Sequence, residues 1–556
     1  MKKLLSSLAL LATLLALPET RAADPAWPAA DPAAMAHWQS LRFGMFIHWG
    51  PVSLTGQEIG WSRGAQTPIA VYDNLYHQFN PTNFNADEWV SIAKAAGMKY
   101  IVLTTKHHDG FCLWDTKLTD YNIMNTPLHR DVVRELATAC KKQGIEFGAY
   151  YSVTDWYNQD WPVTSPGGKV KRDKSNLDAY EAYLQGQISE LITNYGSLIT
   201  IWNDVSAMYE QRGAATIKMV RRLQPNILIN NRTGAGGDYD TPEQKIGKFQ
   251  LNRPWESCMT VSAHNAWAWG GSKDGVKPLA ACLNMLILGA GGDGNILLNV
   301  GPRPDGVIDP AQAGLLKQVG DWLTTHGESI YGTRGGPWKP GNHIASTRKD
   351  NVVYLHVMKS SDGKIELPAL TATIQSATLL DGQPVTWQQN EGRLTIQIPA
   401  AALEPVDTIV KLTLDRQAMS LPVLSAEAEI KASASNVYQG DDNDYGPQQA
   451  FDHDKNTRWA TNEGTKQAWI QADLGAVKLV SGVRIHEAEP YTNRVMQFEF
   501  QYRSGDAWRT IVSGAHLGAR YAMDFNPVQA REFRLNILDA TEGPTLSEIE
   551  LVAKQP

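Results

Sequence analysis

The sequence predicts an α/β protein: a (β/α)8-like barrel over residues 23–340, followed by two antiparallel β-sandwich domains over 341–420 and 421–556. Three observations lead there. Short β-branched apolar runs alternate with helical patterns over about 310 residues, and no GxGxxG follows the first run, which argues against a dinucleotide-binding sheet. Around Gly335 to Gly341 glycine, proline and tryptophan cluster, and helical signals stop. After Leu421-Pro422 only strands and turns remain, ending at Leu551 to Ala553.

The elements follow in order. Leu41 to Gly50 is the first strand and ends in His48 and Trp49; a loop with Glu58, Trp61 and Arg63 follows. Asn85 as N-cap with Glu88 three residues on opens a helix in which Trp89, Ile92, Ala93 and Ala96 share a face, and Gly97 closes it. Tyr100 to Thr104 is a buried strand running into Lys106, His107, His108, Asp109 and Gly110. A helix over Arg130 to Lys142 leads to the strand Ile145 to Ser152, with Tyr150 and Tyr151 at its end and Asp155 and Trp156 beyond. A long helix, Ser175 to Tyr195, precedes the strand Leu198 to Ile201, which runs directly into Trp202, Asn203 and Asp204. Gln211 to Leu223 is helical, and Ile227 to Ile229 is a strand ending in Asn230, Asn231 and Arg232. A Gly-rich loop leads to Trp255, Glu256, Ser257 and Cys258. A helix over Leu279 to Leu288, a strand over Ile296 to Val300 and a closing helix over Gln312 to Thr325 complete the alternation. Val352 to Val357 and Leu394 to Ile398 are typical of the short strands that come next.

Apolar content of 43% and charged content of 20% over 556 residues supply ample core for more than one domain. The net charge is −7 with no basic block, so nucleic acid is not an expected partner. Lys2 and Lys3 followed by the apolar run Leu4 to Leu17 and Thr20-Arg21-Ala22 read as a signal peptide over 1–22. That run is shorter than the ~20 residues a membrane span needs, and no second one exists, so the mature protein is expected to be exported, periplasmic or secreted. Cys112, Cys140, Cys258 and Cys282 form no CxxC pair, which argues against a structural zinc site.

Strand ends supply His48, His107, His108, Tyr151, Trp202, Asp204, Arg232 and Glu256. Asp is also a preferred N-cap, but several strands end in such residues, as barrel enzymes present them to substrate. Two carboxylates among aromatics, His and Arg suit glycoside hydrolysis, in which one attacks the anomeric carbon and the other protonates the leaving oxygen. Metal-assisted hydrolysis through His48, His107, His108 and Asp204 is the competing reading; adjacent residues on a strand point to opposite faces, which separates His107 from His108 unless the chain bends.

The combination FIHWGP, KHHDGFCLWDT, YYSVTDW, IWND, and NNR followed by WES resembles the α-L-fucosidases of glycoside hydrolase family 29, from about Trp38 to Trp338. That resemblance implies a barrel with a β-sandwich behind it and a retaining, exo-acting release of α-L-fucose from fucosylated oligosaccharides or glycoconjugates, without a catalytic cofactor. It implies Asp204 as nucleophile and Glu256 as acid/base. His48, Glu58, Trp61, His107, His108, Tyr151, Trp202 and Arg232 would hold the sugar. An inactive fucose-binding lectin, or an exo-glycosidase for a similarly configured sugar, are the alternatives. The motifs AFDHDKNTRWAT, WIQADLG and LSEIEL resemble a discoidin-type (factor V/VIII type C) module like carbohydrate-binding module family 32. By that resemblance Asp452, Asp454, Thr457 and Glu548 would hold a structural calcium.

Overall fold

The computed structural model describes residues 27–166, 171–206, 212–341, 343–390, 392–425, 430–452 and 457–553. The leader expected over 1–22 and Asp454 lie outside them. The chain forms two compact units, Met1–Leu424 and Ser425–Pro556.

In the first unit, α1 (Pro32–Leu41) leads into β1 (Phe43–Ile47). After the single turn α2 (Ile69–Tyr72), helices and strands alternate: α3 (Ala86–Ala95), β2 (Tyr100–Lys106), α4 (Val132–Gln143), β3 (Glu146–Ser152), α5 (Leu177–Asn194), β4 (Thr200–Asp204), α6 (Gly213–Leu223) and β5 (Leu228–Ile229). Then come β6 (Glu256–Thr260), α7 (Leu279–Gly291), β7 (Asn295–Val300) and α8 (Pro310–His326). The seven strands are parallel, in the order β5-β4-β3-β2-β1-β7-β6. Local chemistry sets the helix ends: the Asn85 side chain accepts from the Glu88 N–H, Asp131 from that of Arg134, and Gly144 takes the left-handed conformation (φ 73°) that closes α4.

The barrel closes without an eighth regular strand. Residues 238–244 run between β5 and β6. The Asp238 N–H donates to the Ile229 carbonyl, those of Glu256 and Cys258 donate to the carbonyls of Asp240 and Pro242, and that of Gln244 to the Cys258 carbonyl. Single bridges pair Asn230 with Tyr239 and Glu243 with Cys258. No apolar run marks this segment, which is why the sequence reads it as loop.

Strand alternation divides the core in two. Phe46, Tyr100, Val102, Tyr150, Trp202, Cys258 and Leu297 fill the barrel interior, together with Trp38 from α1 and Tyr239. Met45, Ile47, Ile101, Leu103, Ala149, Tyr151 and Ile201 face the helices. Behind α8, an antiparallel sheet orders strands 374–379, 408–414, 352–357, 344–349 and 334–335, and a three-stranded sheet orders 364–368, 393–397 and 386–390.

The second unit is antiparallel throughout. Ala468–Glu487, Tyr521–Ala540, Val495–Ser504 and Thr545–Ala553 are its long strands, with register shifts that bend them around a core including Trp459, Phe498, Phe500, Phe533 and Leu535. All four cysteines are free and buried. Among the described residues no helix is long and apolar enough to cross a membrane.

Candidate active site

The carboxyl ends of the barrel strands surround a pocket lined by Phe46, His48, Trp61, His107, His108, Tyr150, Trp202, Asp204, Val205, Arg232, Glu243, Cys258 and Trp267. Asp204, the last residue of β4, accepts three hydrogen bonds there. Its Oδ2 accepts from the Tyr150 hydroxyl at 2.8 Å, and its Oδ1 accepts from Arg232 Nη1 at 2.8 Å and from the Val205 N–H at 3.0 Å. Burial alone would raise this carboxyl, but the Arg232 guanidinium and the side-chain hydrogen bonds from Arg232 and Tyr150 outweigh it and hold Asp204 below its ordinary range. It is therefore an anion at neutral pH. Val205 follows with φ 46°, an unusual conformation for a β-branched residue and a local strain of about 1–3 kcal/mol where the chain leaves the strand.

Arg232 Nη1 also donates to Glu243 Oε2 at 2.9 Å. One nitrogen thus bridges two carboxylates, and the bonded oxygens lie no farther apart than those two bonds laid end to end. That spacing suits a retaining pair, whose carboxyl groups sit about 5–5.5 Å apart. Thr241 fixes the guanidinium, accepting from Nε on its hydroxyl and from Nη2 on its carbonyl, and the Trp202 ring lies 5.0 Å beneath it. Thr241 and Glu243 both belong to the irregular segment that closes the barrel.

The histidines are neutral acceptors. Asn299 donates from Nδ2 to the Trp267 carbonyl (2.7 Å), so its Oδ1 must accept from His48 Nδ1 (2.6 Å), and His48 Nε2 is left bare. Ser152 donates to the Thr154 carbonyl and so accepts from His108 Nδ1 (2.6 Å), leaving His108 Nε2 bare, 3.7 Å from Asp204 Oδ2. Burial pushes His48 down to about 3 and His108 to about 4, and holds His107 well below its usual value. Each bare Nε2 can accept a hydroxyl hydrogen.

The structure brings His48, Trp61, His107, His108, Trp202, Asp204 and Arg232 together. His107 and His108 share the pocket, ring centroids 3.9 Å apart, because β2 ends at Lys106 and the following turn redirects both. Among the described residues no group of three or more His, Cys, Asp or Glu is arranged to hold a metal ion.

Three expectations are corrected. Tyr151 faces the helices, where its hydroxyl donates to Gln187 and its ring lies under Lys106; Tyr150, paired in register with Trp202, is the tyrosine of the pocket. Glu58 does not reach the pocket: its carboxylate accepts from the N–H groups of Ile59, Trp267 and Ala268, so it anchors the loop carrying Trp267. Glu256 is the first residue of β6 and Asp204 the last of β4, so in this parallel sheet they sit at opposite ends of their strands. Glu256 is fully buried in the barrel and accepts from the Tyr100 hydroxyl and from Trp202 Nε1 (3.0 Å).

Burial raises Glu256 to about 7 from an ordinary value near 4.5, against the opposing pull of those two hydrogen bonds. Between these values the folded chain keeps a proton that the unfolded chain gives up, so this residue's contribution to stability is lost as pH rises through that window. Glu256→Gln is accordingly expected to lower the melting temperature less, or raise it, progressively from pH 4.5 to 7 relative to wild type. A pH-independent difference across that range would contradict the protonated, buried state.

Missed in the sequence were Phe46, Tyr150, Val205, Glu243, Cys258 and Trp267. Tyr150 shares the inward face of Trp202 as its register partner on the neighbouring strand. Glu243 lies where no periodic signal exists.

In the second unit Asp452 accepts from the Thr457 hydroxyl at 2.9 Å. Trp459 pairs with Leu546, and Glu548, two residues further along that strand, is buried.

A family model described as alpha-L-fucosidase matches residues 11–328, and one described as F5/8 type C domain matches residues 429–551. Tissue alpha-L-fucosidase of Homo sapiens is 28% identical over 406 residues, covering 66% of this chain and 85% of that protein. Among solved structures, alpha-L-fucosidase isoenzyme 1 from Paenibacillus thiaminolyticus superposes with a TM-score of 0.64 at 34% identity, covering 69% of this chain and 99% of that one. A trapped covalent intermediate of a Bacteroides thetaiotaomicron GH29 alpha-L-fucosidase with 2-fluoro-fucosyl fluoride has a TM-score of 0.63 at 27% identity, covering 69% and 97%.

Proposed function

The chain belongs to the α-L-fucosidase family, and from that premise we propose how the pocket divides the chemistry. The protein is a retaining glycoside hydrolase that releases α-L-fucose by double displacement. The observation that carries our assignment is the Asp204–Arg232–Glu243 bridge. Asp204 attacks the anomeric carbon while Glu243, protonated at that moment, gives its proton to the departing glycosidic oxygen. The glycosyl–Asp204 ester then reacts with water, from which Glu243 takes the proton, and the bond to Asp204 breaks with fucose keeping its anomeric configuration. His48 and His108 accept sugar hydroxyl hydrogens on Nε2; His107, Trp202 and the exposed Trp61 complete the walls, and Tyr150 and Arg232 fix the nucleophile. Fucose release from an aryl α-L-fucoside and from fucosylated oligosaccharides, followed by chromatography, tests the reading; binding of fucose without turnover would overturn it.

The catalytic groups all fall in the first unit. Truncation after Leu424 is therefore expected to leave turnover of a small aryl fucoside within about twofold, an effect below 0.5 kcal/mol; loss of that activity in a folded truncate would contradict this division. The charged start and apolar run before Thr20-Arg21-Ala22 support export with Ala23 as mature N-terminus, which N-terminal sequencing of protein from the host envelope checks.

The second unit also has oxygen donors of the type calcium takes: Asp452, Thr457 and the buried Glu548, with Asp454 in the same stretch of sequence. Calcium held there would tie Asp452 and Thr457 to the strand bearing Glu548. At about 100 times its Kd it is expected to stabilise this unit by about 2.7 kcal/mol over the EDTA-treated protein. Identical melting curves with calcium and with EDTA would rule it out.

A further inference from the structure

Trp202 has two faces of work in the pocket. Its ring supports the Arg232 guanidinium at 5.0 Å and stacks on Tyr150 with centroids 5.6 Å apart at an interplanar angle of 20°. Both of those partners donate to Asp204. The indole can turn about its χ angles unless something fixes its polar edge, and its Nε1 donates to the Glu256 carboxyl at 3.0 Å. That carboxyl is itself fixed from the other side by the Tyr100 hydroxyl, and Tyr100 is fully buried on β2. A buried polar network so satisfied specifies one arrangement, whereas removing one member leaves the others unpaired.

We propose that Glu256 is a positioning residue for sugar recognition: held by Tyr100, it fixes the orientation of Trp202 through Nε1 and thereby seats Arg232 and Tyr150 around Asp204. It touches neither substrate nor the reacting atoms. Its action is one layer beneath the pocket, along Tyr100–Glu256–Trp202. The inference rests on the pocket binding fucose, as the functional reading has it.

The test uses the full-length protein and titrates L-fucose by isothermal calorimetry or tryptophan fluorescence. Glu256→Gln keeps an oxygen for the indole and is expected to stay within about threefold of wild-type Kd. Glu256→Met, similar in volume but without an acceptor, is expected to weaken fucose binding at least tenfold, about 1.4 kcal/mol. The same loss should appear in kcat/KM for aryl fucosides and oligosaccharides alike, with no rescue by azide. Glu256→Asp keeps the carboxyl group but draws it back by one methylene, and is expected to fall between the two; it decides the matter should the Met variant not fold. In a Trp202→Phe background, the Met substitution should add little further loss, because the bond it deletes is already gone. Folded Met or Asp variants with wild-type Kd, or additive losses with Trp202→Phe, would overturn the proposal. A leaving-group-selective loss rescued by azide would make Glu256 the acid/base instead. If wild type cleaves fucosides while the variants are silent, only this inference falls; if wild type neither binds nor cleaves, the functional reading falls with it.

Discussion

Asp204→Asn is expected to fold as wild type and to lose at least about a thousandfold in kcat, roughly 4 kcal/mol of transition-state stabilisation. The carboxylate ends β4, and three donors converge on it from Tyr150, Arg232 and the Val205 backbone. Asparagine preserves shape and burial but cannot form the ester. Because Asp204 is held below its ordinary range, it stays ionised as pH falls through the range where free carboxylates protonate, so loss of activity through its own protonation requires pH below the usual value of 3.8. The stability it contributes follows the same sign: present above the ordinary value and lost as pH drops through the depressed one. An Asn variant that kept a tenth of wild-type kcat would show that another group attacks. Melting curves and kcat on an aryl fucoside measure both halves.

The second large effect belongs to Glu243. Removing a general acid costs about 10²–10⁴-fold where the leaving group needs a proton and far less where it does not. Glu243→Ala is therefore expected to lose about a thousandfold on fucosylated oligosaccharides and about tenfold or less on fucosides of acidic phenols. Azide, which needs no base, should restore turnover of the activated substrate and yield α-fucosyl azide, since it attacks the same face as water. Equal losses on both substrate types, without azide rescue, would remove Glu243 from the role.

The contrast between Glu243 and Glu256 shows what the sequence could carry. Strands buried on both faces announce themselves as apolar runs, so β1 to β4 and β7 are legible, and with them the residues that follow each run: His48, His107, His108, Trp202 and Asp204. Glu256 stands beside a strand too, but at its beginning, and a run of residues does not say which of its ends faces the mouth until its extent is known. Glu243 sits in the closing segment, whose pairing rests on isolated bridges and backbone hydrogen bonds to β5 and β6 rather than on an apolar face. Tyr150 against Tyr151 turns on register, which the sequence alone does not set: Trp202 faces the interior, Tyr150 is its register partner, and one residue of slip turns a side chain to the helices. Glu58 was not decidable, since a loop carboxylate that binds backbone N–H groups looks in sequence like one that binds a sugar.

The most direct test of the account is to trap the intermediate and locate it. The Glu243→Gln protein incubated with 2-fluoro-fucosyl fluoride, digested and analysed by tandem mass spectrometry, is expected to carry one 2-fluoro-fucosyl group, on Asp204 in the peptide containing Ile201-Trp202-Asn203-Asp204. The sugar on any other residue, or no adduct from a protein that still cleaves aryl fucosides, would contradict it.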